Sequence, residues 1–219
     1  LGNHADARRS DRHHYNAFTL IELVVVFGLI IVLTGLVLST VGYARKKGAR
    51  ARAETEIAAM AAAIENYKSD NATYPRGPAA AITIGTVTIS ANVTDNLDAR
   101  TYGDPTGTSD PTYGETSLYL YTLLSGDLNG NRQIDAGETG KNYMAFQPKM
   151  LLPAGGTGTV TAIADPFGNS YGYSTANQAD PATPKGYNPT FDLWSTAALT
   201  TTPSPPPGDT ITPQWIKNW

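Results

Sequence analysis

One uninterrupted apolar stretch decides most of what this chain can become. FTLIELVVVFGLIIVLTGLVLSTVGY, Phe18 to Tyr43, runs 26 residues with a single charge, Glu22. As an α-helix rising about 1.5 Å per residue it reaches roughly 39 Å, enough to cross a hydrocarbon core about 30 Å thick. A secretory signal has an apolar region of only about 7 to 15 residues and ends at a small-residue cleavage site. This stretch is longer, and no small-residue A-x-A site lies directly at its end, where Tyr43 is followed by ARKK. A plain membrane anchor fits the length but has no use for Glu22, because a carboxylate in an apolar span costs several kcal/mol unless it is paired. Basic residues flank both ends: Arg8, Arg9 and Arg12 before, and Arg45, Lys46, Lys47, Arg50 and Arg52 after. The positive-inside rule therefore leaves the orientation open.

Helical character continues beyond the apolar stretch. Residues 44–74 are rich in Ala, Glu, Arg, Met and Lys, which favour helix. Ile57, Met60, Ile64 and Tyr67 recur at helical spacing and make one apolar stripe. Glu54, Glu56, Glu65 and Lys68 fall off it. Asn71 and Pro75 are stop signals. The prediction is one helix of about fifty residues, apolar all round in its first half and with one adhesive face in its second. Gly28, Gly35 and Gly42 share a face, a pattern that allows close helix approach and that also arises by chance.

After Pro75 the composition turns to Thr, Gly, Pro, Tyr and Asn. Residues 81–93 alternate apolar with Thr, as a strand or a hairpin around Gly85 does. Residues 117–126 (SLYLYTLLSG) read as helix rather than strand. GTVTAIAD and SYGYST read as strands, and the Pro-rich residues 200–213 as extended chain. These elements predict an α+β fold: a long N-terminal helix packed on a small antiparallel-sheet globular domain.

Composition narrows the chemistry. There is no Cys among the 219 residues, and the three histidines are His4, His13 and His14. A chain lacking residues 1–17 has neither residue type, which removes Ser-His-Asp and Cys-His catalysis and the usual His/Cys zinc sites. No carboxylate spacing supports a hydrolase. Asp165 and Glu115 suggest no particular role, and the aromatic residues read as packing. The chain is read as non-enzymatic. The formal charge is −3, and bulk charge of that sign argues against nucleic-acid binding.

DLNGNRQIDAGE, Asp127 to Glu138, places side-chain oxygens at loop positions 1, 3, 5, 9 and 12: Asp127, Asn129, Asn131, Asp135 and Glu138. That is the EF-hand spacing, with Gln133 in the place that offers a carbonyl. Hard oxygen donors in this pattern suit Ca²⁺. One departure stands out: position 6, ordinarily Gly, is Arg132, and Gly130 sits at position 4. The loop resembles the D-x-N-G-N calcium loops of bacterial surface proteins. The competing reading is a polar, internally hydrogen-bonded turn.

FTLIELVVV resembles the start of type IV pilins and type II secretion pseudopilins. YKSDNATYP (67–75) is similar to the helix exit of the major pseudopilin. ADPFGNSYGY (164–173) resembles its DPWGNPY segment, FDLWS (191–195) the segment after that, and the final IKNW its terminal NW. The likeness is strong over 18–75 and loose over 164–219; residues 76–163 match nothing specific. Here Ala17 stands where the family usually has Gly, and Ser39 where it often has Pro.

The resemblance implies a leader at 1–17, a membrane and filament-core helix at 18–43, its amphipathic continuation at 44–74 and a globular domain at 75–219. It implies cleavage between Ala17 and Phe18 by a prepilin peptidase, N-methylation of Phe18, and Glu22 as the assembly glutamate. It places the chain in the inner membrane as a single pass with a periplasmic head, then in a pilus or pseudopilus. The implied partners are further copies and sibling pilins, the peptidase/N-methyltransferase, the inner-membrane assembly platform and ATPase, and the outer-membrane secretin and secreted cargo. The family's own calcium site lies near FD-x-x-S. Only Asp192 and Ser195 match it; Ala197, Ala198, Leu199 and Thr200 replace the rest. The alternative is a minor pilin or an anchored extracytoplasmic module that contacts DNA, surfaces or cargo.

Overall fold

The computed structural model describes residues 18–100, 111–183, 185–197 and 214–219. The leader expected at 1–17, with Ala17, and the Pro-rich 200–213 lie outside the described residues. The backbone divides into two compact units, one ending at Arg45 and the other running Lys46–Trp219.

The first unit holds the start of α1 (Leu20–Asn71), a 52-residue helix that accounts for the single long helix expected. Its most apolar 18-residue window has a mean hydropathy of 2.8 and none of it is buried. Leu20, Ile31 and Leu38 stand exposed on it, as do Val24, Phe27 and Leu36. An apolar surface on every side needs a non-aqueous environment, and the helix is long and apolar enough to cross a membrane. The backbone passes residue 39 as helix.

The second unit is built on the amphipathic part of α1. Ala53, Ile57, Met60 and Ile64 are buried at 0–4% exposure and Tyr67 is partly buried, so the stripe faces the core. At about 25 cal/mol per Å², burial of Ile57, Met60 and Ile64 contributes roughly 1.5–3 kcal/mol each. The helix ends where Asn71 Nδ2 donates to the Tyr67 carbonyl at 2.9 Å and Ala72 turns to φ 60°. Pro75 then forbids continuation.

β1 (Ile82–Ile84) and β2 (Val87–Ile89) form the hairpin at Gly85. Ile84 pairs with Val87, so the turn is the two residues Gly85 and Thr86, and Gly85 takes φ 57°. A positive φ at the first turn residue suits the strand twist and needs glycine. The short α2 (Val93–Asn96) precedes α3 (Thr112–Ser125), which is helix as the sequence predicts and ends in the left-handed Gly126. A 3₁₀ turn (Pro148–Met150) leads into β3 (Leu151–Leu152), antiparallel to β4 (Ala162–Ile163). β5 (Gly172–Ser174), α4 (Ala176–Ala179), β6 (Asp192–Ser195) and β7 (Ile216–Lys217) complete the described elements. β6 is the centre of the three-stranded antiparallel sheet β5-β6-β7. The arrangement is thus a long apolar N-terminal helix and a small globular part with short antiparallel sheets.

Gly172 faces Trp194 across the β5–β6 pair, and a Cβ there would enter the indole ring. Trp194 stacks on Trp215 at 5.8 Å and donates from Nε1 to Tyr113 Oη at 2.8 Å.

Two sequence expectations differ. GTVTAIAD is mostly loop, with only Ala162–Ile163 in a strand. Glu56, off the stripe by spacing, is 8% exposed. Arg52 Nε donates to its Oε1 at 2.6 Å and Tyr171 Oη to its Oε2 at 2.8 Å. A carboxylate enters the core when both oxygens are satisfied in this way.

Candidate functional site

Three groups of residues carry the sequence expectations: the start of α1, the 127–138 loop, and the turns around β6.

At the start of α1, Phe18 is 83% exposed. Thr19 N donates to Glu22 Oε2 at 2.9 Å and Thr19 Oγ1 to the same oxygen at 2.8 Å, while Glu22 N donates to Thr19 Oγ1 at 3.3 Å. This is a capping box, T-x-x-E, which closes otherwise unpaired backbone donors at a helix N-terminus. Glu22 therefore has a local task that the spacing Thr19…Glu22 already encoded. Its carboxylate also lies at the positive end of the helix dipole.

The 127–138 loop winds around two carboxylates. Asp127, 1% exposed, accepts from the backbone N–H of Gly130 (2.8 Å), Asn131 (3.2 Å) and Arg132 (2.7 Å) and from Tyr121 Oη (2.7 Å). Burial, with the bond to Asp127, pushes the Tyr121 phenol upward, so it stays a donor. Glu138 Oε1 accepts from Leu128 N and Asn129 N at 2.8 and 3.1 Å, and Oε2 from Asp135 N at 2.8 Å.

Arg132 adopts φ 74°. The position that EF-hand loops reserve for glycine thus has the left-handed turn despite its side chain. The guanidinium explains the tolerance: Nε donates to the Gly158 carbonyl at 2.9 Å and Nη2 to that of Pro153 at 2.7 Å.

Asn129 Nδ2 and Asn131 Nδ2 converge on Asp135 Oδ2 at 2.8 and 2.6 Å. Their Oδ1 atoms accept from Asn131 N and Gln133 N, each at 2.9 Å. Turning either amide by 180° exchanges its ends and offers oxygen to Asp135's side, at the expense of that backbone bond. Among the described residues no three His, Cys, Asp or Glu side chains gather around one point. The donor set fits calcium only with the asparagine amides and the Gln133 carbonyl counted in.

Around β6, residues 164–173 and 191–195 meet. Ser195 Oγ donates to Asp165 Oδ2 at 2.5 Å, and Asp165 Oδ1 accepts from Phe167 N and Asn169 N, both at 2.9 Å. Burial raises the Asp165 carboxyl, and these bonds oppose the rise. Asp192 accepts from Tyr187 N at 2.8 Å and Asn188 N at 2.9 Å, and burial pushes its carboxyl up to about 6. Both carboxylates pin turns. Glu115, which suggested no role in the sequence, accepts from Ser90 N at 2.8 Å and ties α3 to the end of β2.

The structure places Glu22 in the capping box, and Asp127 and Glu138 where the backbone N–H groups of the loop converge. Thr19 was missed, although it was legible as a capping box; Arg132 stood out in the sequence only as a departure, and its part in the loop shows through its backbone conformation. No family model, curated protein or solved structure matches the chain.

Proposed function

We propose that this chain is a structural subunit of a filament of the type IV pilus or type II secretion pseudopilus kind, non-enzymatic, assembled through its N-terminal helix. The observation that carries the reading is the apolar half of α1, exposed on all sides and opening on Phe18, Thr19 and Glu22. In a membrane lipid covers that surface; in a filament other copies do. Cleavage after Ala17 would leave a free amino group on Phe18 inside an apolar bundle, where an unpaired charge is expensive. Glu22 is the only acidic residue from Phe18 to Tyr43 and would neutralise it, which rewards correct axial register. Methylation of that amine keeps its charge, so the pairing persists.

We also propose, on the EF-hand spacing of its oxygens, that the 127–138 loop is a calcium site in the head. Bound calcium would supply a cross-link among oxygens that are otherwise held by hydrogen bonds alone. Asp127, Asn129, Asn131, Gln133, Asp135 and Glu138 would hold it.

The test of the filament reading is Glu22→Ala. The variant inserts in the membrane as wild type does and forms no filaments; filaments of normal length and number from it refute the reading. N-terminal sequencing of the membrane-extracted protein tests the processing step and should begin at Phe18. An anchored binding module is the second reading, favoured if the processed protein stays monomeric in the membrane.

A further inference from the structure

We propose that Arg45, Lys46 and Lys47 form a cationic collar that binds the phosphate groups of anionic phospholipids. The positions follow directly on the apolar stretch, and Tyr43 before them is 71% exposed, as interfacial aromatic residues are. From Val41 to Ala53 the helix carries five cations and no acidic residue. Two of the five are engaged. Arg50 pairs with Glu54 at 3.4 Å and donates from Nη1 to the Gln214 carbonyl at 3.0 Å; Arg52 pairs with Glu56 at 2.6 Å. Arg45, Lys46 and Lys47 are exposed, and none of them has an ion pair among the described residues.

Consecutive helical residues point about 100° apart, so the three cations cover more than half of the helix circumference. A single protein partner meets one face of a helix, whereas lipid headgroups surround it. Long basic side chains at the end of an apolar span also reach outward to the headgroup level. Anionic lipid is the occupant that matches the charge, the placement and the angular spread. The inference needs only the membrane-spanning helix and is independent of filament formation.

The full chain is reconstituted in vesicles of phosphatidylcholine with phosphatidylglycerol, extracted in a non-ionic detergent, and its co-purifying lipid is quantified. Each basic residue at an anionic surface is worth roughly fivefold. Phosphatidylglycerol should be enriched at least tenfold over its bulk proportion, and the enrichment should fall in high salt. In Arg45→Gln/Lys46→Gln/Lys47→Gln it should drop to within about twofold of bulk, with membrane insertion, checked by resistance to alkaline extraction, unchanged. Enrichment retained in the triple variant overturns the proposal, as does loss of the lipid when free inorganic phosphate replaces chloride at unchanged ionic strength, which would show an anion site rather than a lipid surface. A triple variant that loses self-association but keeps lipid selectivity overturns it in favour of a second copy.

Discussion

Tyr171 on the way into β5 donates its phenol hydrogen to Glu56 of α1 across 115 residues of sequence, at 2.8 Å in the core. The phenol is held strongly protonated by burial and by the neighbouring carboxylate. Glu56 in turn is held by Arg52 one helical turn before it. This triad fixes the sheet of the head to a defined turn of the helix. Tyr171→Phe keeps the ring and removes the donor, leaving a buried carboxylate oxygen unpaired. The expected loss is about 1–3 kcal/mol in urea unfolding of the full chain in detergent. An unchanged midpoint would mean that Arg52 alone satisfies Glu56.

Glu22 has two separable roles, the cap on α1 and the charge offered to an amine. Glu22→Gln retains an oxygen for Thr19 N–H and loses the charge. Filament yield, scored by electron microscopy, should fall as far as in Glu22→Ala. Thr19→Ala, which removes the cap but leaves the carboxylate, should cost about 1 kcal/mol of helix stability and retain filaments. The reverse ranking would make the glutamate a capping residue only.

Calcium at the 127–138 loop should stabilise the head. A ligand at one hundred times its Kd adds about 2.7 kcal/mol, a rise of several degrees in Tm for a domain of this size. Asp135→Asn should abolish the gain while leaving the Tm in chelator close to wild type, because Asp135 is exposed. Asp127→Ala should lower the Tm in chelator too, since Asp127 holds three backbone N–H groups. A wild-type Tm that ignores calcium removes the site.

Asp192 supplies a pH dependence. Its folded carboxyl lies near 6, above the ordinary 3.8, because it is buried. The folded state therefore holds the proton more tightly than the unfolded state. The stability from this group is full below pH about 4 and is lost as pH rises towards 6, by roughly 3 kcal/mol. Wild type compared with Asp192→Asn by urea unfolding at pH 4 and pH 7 isolates it: the difference between the two proteins should shift in favour of the variant at the higher pH. A pH-independent difference would refute the assignment.

Gly172 should tolerate no side chain. Gly172→Ala drives a methyl group into Trp194, which β6 and its stack on Trp215 hold in place. Overpacking of this kind costs about 1–3 kcal/mol. The near-ultraviolet circular dichroism of the tryptophans should change with it.

The sequence signals that held act over a few residues. The 52-residue helix follows from composition and spacing, its end from Asn71 and Pro75, and the hairpin from Gly85. The residues of the candidate calcium loop follow from their intervals. Glu56 was misplaced because its spacing says only which side of the helix it leaves from. Its burial depends on Tyr171, far along the chain. Arg132 was a departure by residue type, and only its φ of 74° and two carbonyl partners show how the loop accommodates it.

By itself the sequence determined that this protein has one helix too apolar for water, with a single acid near its start and an amphipathic second half. Hydrophobicity and helical period are properties of neighbouring residues, so they need no fold to be read. The tertiary structure decided which polar groups the head can bury. Asp165 meets Ser195, and Glu56 meets Tyr171. Each of those carboxylates is tolerable in a core only because a distant donor arrives within hydrogen-bond reach, and that arrival is a fact of packing that no local pattern contains.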